Sequence, residues 1–127
     1  MSERIEFEKN GDYLLATIPD TVITTQRAQE ILTRIATECS RLNYQSVILD
    51  ERSVESREVP PYEILKLGHH MTDQGLDKIY MAFWCQPHLI NDDSNLLSLF
   101  TFKNEFVVQH FSEKKEALAW LKGPGNS

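Results

Sequence analysis

Ile79-Tyr80-Met81-Ala82-Phe83-Trp84 decides the architecture. Side chains alternate strictly along a strand, so Ile79, Met81 and Phe83 point one way and Tyr80, Ala82 and Trp84 the other. Both sets are apolar. Such a strand sits inside a sheet covered on two faces, as parallel strands usually are. Val47-Ile48-Leu49 is a shorter run of the same character. Tyr13-Leu14-Leu15-Ala16-Thr17-Ile18 is also apolar on both faces, and Pro19-Asp20 ends it. Phe106-Val107-Val108 makes the last strand.

Between these runs the apolar period lengthens from two to three or four. Ala28, Ile31, Leu32, Ile35, Ala36, Cys39 and Leu42 form one stripe, with Glu30, Arg34, Glu38 and Arg41 opposite. Thr24 or Thr25 caps this helix, and Asn43 suits a left-handed exit. Cys39 lies on the stripe and reads as core. A second helix follows Pro60-Pro61, with Ile64, Leu67, Gly68 and Met71 as its stripe. A third is expected from Asn91-Asp92-Asp93-Ser94, with Leu96, Leu97 and Phe100 facing inward. Ser112 is expected to cap a closing helix containing Ala117, Leu118 and Leu121. At the start, Ile5 and Phe7 alternate with Arg4, Glu6 and Glu8. Asn10-Gly11 predicts a type I′ hairpin to the next strand. The order β-β-α-β-α-β-α-β-α predicts an α/β fold: a mostly parallel five-stranded sheet with one antiparallel edge strand and four helices. Residues 1–122 read as a single domain and 123–127 as a flexible tail.

The chain of 127 residues carries 13 Lys+Arg and 19 Asp+Glu, a net charge of −6. No basic surplus exists to displace counterions from nucleic-acid phosphates or to hold an anionic membrane. No run approaches the ~18 consecutive apolar residues of a membrane span. Cys39 and Cys85 make no disulfide framework, so free thiols in the cytoplasm are expected.

The layout resembles the STAS superfamily, the SpoIIAA-like fold of anti-sigma-factor antagonists. Val47-Ile48-Leu49-Asp50-Glu51-Arg52-Ser53-Val54 resembles that family's third strand and its exit. The segment Phe111-Ser112-Glu113-Lys114-Lys115-Glu116-Ala117-Leu118-Ala119-Trp120-Leu121 is similar to the close of a bacterial STAS/CRAL-TRIO-like branch. The resemblance implies a non-enzymatic regulatory or protein-binding module. In the antagonists an Asp-Ser-(Ser/Thr)-Gly tetrad opens the second helix and carries the phosphorylated serine. Here that junction reads Arg57-Glu58-Val59-Pro60-Pro61-Tyr62-Glu63-Ile64, so the phospho-switch is not carried over. Ser53 and Ser56 lie upstream in a longer loop. The CRAL-TRIO-like resemblance makes a small lipophilic ligand the alternative.

Ligands of open parallel sheets gather outside the carboxyl ends of the strands. Asp50, Glu51, Arg52, Ser53, Trp84, Cys85 and His88 belong to that end, with His110 nearby, and form the candidate ligand- or partner-binding site. A Cys85–His88 nucleophilic pair or a metal site there would need converging ligands, which spacing within a loop does not show. No phosphate-cradle glycine motif and no G-x-S-x-G elbow occurs, so no catalytic residue, metal or cofactor is assigned. His69-His70, with Lys66 and Asp73, reads as a solvated helix face. The second apolar sheet face, Tyr80, Ala82 and Trp84 extended by Ile48 and Leu15, needs a cover. A two-fold homodimer is the expectation, with a helix of the same chain as the alternative.

Overall fold

The computed structural model describes residues 4–73, 79–90 and 107–122. Strands β1 (Glu6–Asn10), β2 (Tyr13–Thr17), β4 (Ser46–Glu51), β6 (Tyr80–Cys85) and β7 (Val107–Phe111) form one sheet in the order β1-β2-β4-β6-β7. β1 and β2 are antiparallel, and the remaining neighbours are parallel. The mostly parallel sheet with its single antiparallel edge is therefore present. Two further strands, β3 (Val22–Thr24) and β5 (Ser56–Glu58), pair in parallel as a separate small sheet. They leave the carboxyl ends of β2 and β4, and the expected element order lacked both.

Among the described residues there are three α-helices rather than the four expected: α1 (Thr25–Leu42), α2 (Pro61–Asp73) and α3 (Lys114–Leu121). The helix expected from Asn91 and the tail 123–127 lie outside those residues. Thr24 caps α1, its Oγ1 accepting from the Arg27 N–H at 3.2 Å. Asn43 ends it at φ 61°, ψ 48°, the left-handed exit. The first hairpin differs from the expected turn. Asn10 stays in β1 opposite Tyr13, and Gly11, at φ 65°, opens a two-residue loop. Positive φ at the first loop residue alone suits a type II′ turn, not type I′. Ser112 does not cap α3, whose N-cap is Glu113, without a side-chain bond.

α1 and α2 cover one face of the sheet. Leu14, Ala16, Val47, Leu49 and Met81 are fully buried there against Ile31, Leu32, Ile35 and Cys39 of α1 and Leu67 of α2. Burial pushes the Cys39 thiol up to about 11, as befits a core residue. The other face meets α3. Ile48, Ala82, Ala117 and Leu121 are buried together, flanked by half-buried Leu15, Tyr80, Trp84, Phe111 and Trp120. The ring of Trp120 lies 6.1 Å from that of Tyr80 and 5.7 Å from that of Phe111. An intrachain helix thus covers the face that motivated a homodimer. His70 also departs from expectation: it is half-buried and shares a 2.9 Å hydrogen bond with Thr33 of α1, so it joins two helices. No helix of the described residues is long and apolar enough to cross a membrane.

Candidate functional site

The carboxyl ends of β4 and β6 bring the candidate residues to one end of the sheet. Asp50 lies beside Trp84, and Glu51 beside Cys85. Alternation then divides them. Asp50 and Trp84 share the α3 face with Ile48 and Ala82, whereas Glu51 and Cys85 share the face of Leu49 and Phe83. One expected cluster is therefore two.

On the α3 face, Asp50 is buried and holds Arg52. Its carboxylate accepts from the Arg52 Nε at 3.0 Å, from Nη2 at 2.9 Å and from the backbone N–H at 3.2 Å. The guanidinium carbon sits 3.8 Å from the centroid of the Trp84 ring. Lys114, from the first turn of α3, places its Nζ 5.8 Å from the same centroid. The Arg52 side chain nevertheless remains 59% exposed. Ser53 is exposed in the turn that follows.

On the opposite face, Arg57 of β5 reaches across to Glu51, Nη2 to Oε1 at 2.7 Å, and donates from Nη1 to the Leu89 carbonyl at 3.1 Å. Glu51 is almost fully buried. Burial raises its proton affinity, with the Arg57 charge opposing. The nearby Arg57 charge favours the Cys85 thiolate, yet burial outweighs it and the thiol is pushed up, away from the thiolate form. His110 stacks on Phe83, ring centroids 4.8 Å apart. Burial, and then the Arg57 charge, lower its pKa to about 3, so the imidazole is neutral.

His88 does not approach Cys85 as a base. It belongs to a short 3₁₀ turn (Pro87–Leu89), and its Nε2 donates to the Glu55 carbonyl at 2.7 Å. Gln86 donates from Nε2 to the carbonyls of Arg52 and Val54, at 2.8 and 2.9 Å, and so ties the exit of β4 to that of β6. Among the described residues no group of three or more His, Cys, Asp and Glu is placed to hold a metal ion. Sequence reasoning missed Arg57, Gln86 and Lys114. Arg57 sat in a polar stretch with no periodicity, and Lys114 is remote in sequence from everything it meets.

No family model matches the chain, and no curated protein sequence matches it. Among solved structures, it is similar to the crystal structure of an uncharacterized protein of the DUF3478 family, with a SpoIIAA-like fold, from Shewanella loihica PV-4. The TM-score is 0.58 at 21% identity, over 95% of this chain and 98% of that one. At that identity the likeness defines the fold alone: this is an α/β domain with the expected SpoIIAA-like fold.

Proposed function

We propose that the protein is a non-enzymatic regulatory or protein-binding module of STAS type that works without a phosphorylated serine at the start of its second helix. The observation that carries this reading is the division of the carboxyl end. The groups chemistry would need are engaged or enclosed within the chain: Glu51 bonds Arg57, Cys85 is buried beside Glu51, and His88 bonds a backbone carbonyl. What faces outward is Arg52, held rigidly on Trp84. Arg and Trp are the residue types that dominate protein–protein hot spots. A lipophilic ligand is the weaker reading, because Leu14, Val47, Leu49 and Met81 on one sheet face and Ile48, Ala82 and Ala117 on the other are all 0% exposed.

Affinity capture of the tagged full chain from its own cells, together with native mass spectrometry of the purified protein, tests the reading. A protein retained at constant stoichiometry, with no non-protein adduct on the purified chain, is expected. A retained lipid or metal overturns it in favour of a ligand-binding or enzymatic site. The same spectrum reports whether the chain runs at 14.7 kDa or as the homodimer expected from its sequence.

A further inference from the structure

Arg52 is immobilised from two sides before any partner arrives. Asp50 takes its Nε and Nη2 edge at 3.0 and 2.9 Å, and the Trp84 indole lies under the guanidinium at 3.8 Å. Asp50 is anchored in turn: its side chain is only 9% exposed and it also accepts the Arg52 backbone N–H. A flexible arginine loses rotamer freedom when it grips a ligand; this one has lost it already, so less of the binding energy is offset. Among the described residues Nη1 of Arg52 has no hydrogen-bond partner, and the side chain is 59% exposed. A guanidinium has five N–H donors in a planar fork, and the outer edge of this one is open to a planar two-oxygen acceptor. Lys114 adds a second cation beside the same ring.

We infer that Arg52 on Trp84 is the docking point for a carboxylate of an acidic peptide segment in a partner protein, with an apolar neighbour of that carboxylate lying against the indole. This rests on the protein-binding reading above. A carboxylate matches the outer fork in geometry and charge. One acid beside an apolar side chain matches a patch whose net charge is one positive, Lys114 and Arg52 against Asp50, next to one aromatic ring. A polynucleotide does not, because its many phosphates would meet a chain of net charge −6.

Panning a phage-displayed random dodecapeptide library on the full-length protein, with soluble Arg52→Ala as competitor, tests the surface without knowledge of the partner. Enriched sequences should carry Asp or Glu next to an apolar residue. A synthetic peptide of the enriched sequence should change Trp84 fluorescence in a Trp120→Phe background. Its affinity should fall at least tenfold on Arg52→Ala and nearly as far on Arg52→Lys, which keeps the charge but loses the fork. Lys114→Ala should lose only a few-fold. Far-UV circular dichroism confirms that the variants are folded. Enriched peptides without acids, equal binding to Arg52→Ala, full retention by Arg52→Lys, or no enrichment each overturn the inference. A cellular partner captured equally by wild type and Arg52→Ala would sink this surface while leaving the protein-binding reading intact.

Discussion

Asp50 and Glu51 are adjacent carboxylates on one strand, and each is bonded to an arginine a few residues downstream, Arg52 and Arg57. Strand alternation sends them to opposite faces of the sheet, and their consequences diverge. The Asp50–Arg52 pair leaves the arginine side chain 59% exposed over an aromatic ring; in the Glu51–Arg57 pair the arginine is 21% exposed and the carboxylate side chain 5%. The first pair can present a donor to another molecule because water still solvates it. The second fastens β5 and the 3₁₀ turn over Cys85, and there each partner needs the other, since an uncompensated buried charge is costly. The same residue types therefore make a solvent-exposed pair on one face and an internal clasp on the other.

The largest test of this contrast is Arg57→Ala. Removing the guanidinium strands Glu51 and takes one donor from the Leu89 carbonyl, and should lower the unfolding free energy by roughly 3–5 kcal/mol in urea titration. A Glu51→Leu/Arg57→Met double variant should recover most of that loss. Peptide mapping after brief thiol labelling should show Cys85 modified faster in Arg57→Ala, with Cys39 unchanged. A loss below about 1 kcal/mol would put the clasp on the same footing as a surface pair.

His110 sharpens the comparison through pH. Its pKa falls from 6.5 to about 3 in the folded chain. Below pH 6.5 the unfolded chain therefore binds a proton that the folded chain refuses, so this contribution is full above pH 6.5 and is lost as pH falls. A decline of about 1–2 kcal/mol between pH 7 and pH 5 is expected. In His110→Phe, which keeps the stack on Phe83, that acid limb should be flatter. An unchanged slope would mean that the imidazole is wetter than its stacking implies.

On the exposed face the effects should be smaller. Arg52→Ala is expected to destabilise by about 1–2 kcal/mol, less than Arg57→Ala: the buried Asp50 loses its cation but keeps the backbone N–H bond, and the cation–π contact is partly solvated. Lys114→Ala should stay within about 0.5 kcal/mol in the same titration. A loss at Arg52 as large as that of Arg57→Ala would make it structural, and the contrast between the faces would fail.

Much of this frame was legible in the residues. The two-faced apolar run 79–84 placed β6 inside the sheet, and the 28–42 stripe gave α1 with its exit at Asn43 and its N-cap narrowed to Thr24 or Thr25, of which the structure uses Thr24. The set of residues at the carboxyl end was also readable. Its division could have been read by applying alternation to Asp50-Glu51 and Trp84-Cys85 as it was applied to Met81 and Ala82. β3 and β5 were not readable, because three-residue strands, one of them Ser56-Arg57-Glu58, carry no apolar alternation to betray them. The hairpin slipped by one residue for a similar reason: Asn-Gly favours a turn centred on both residues, and pairing with Tyr13 kept Asn10 in its strand.

The amino-acid sequence by itself determined the period of each main element, the parallel sheet and the core position of Cys39, since these follow from local spacing and side-chain chemistry. Tertiary structure decided which arginine meets which carboxylate and how wet each pair is. It also decided that α3 packs against the second sheet face. Those outcomes depend on contacts between residues such as Trp84 and Lys114, or Arg57 and Leu89, that are distant along the chain. Their energies are set by burial, and burial exists only once the layers have packed.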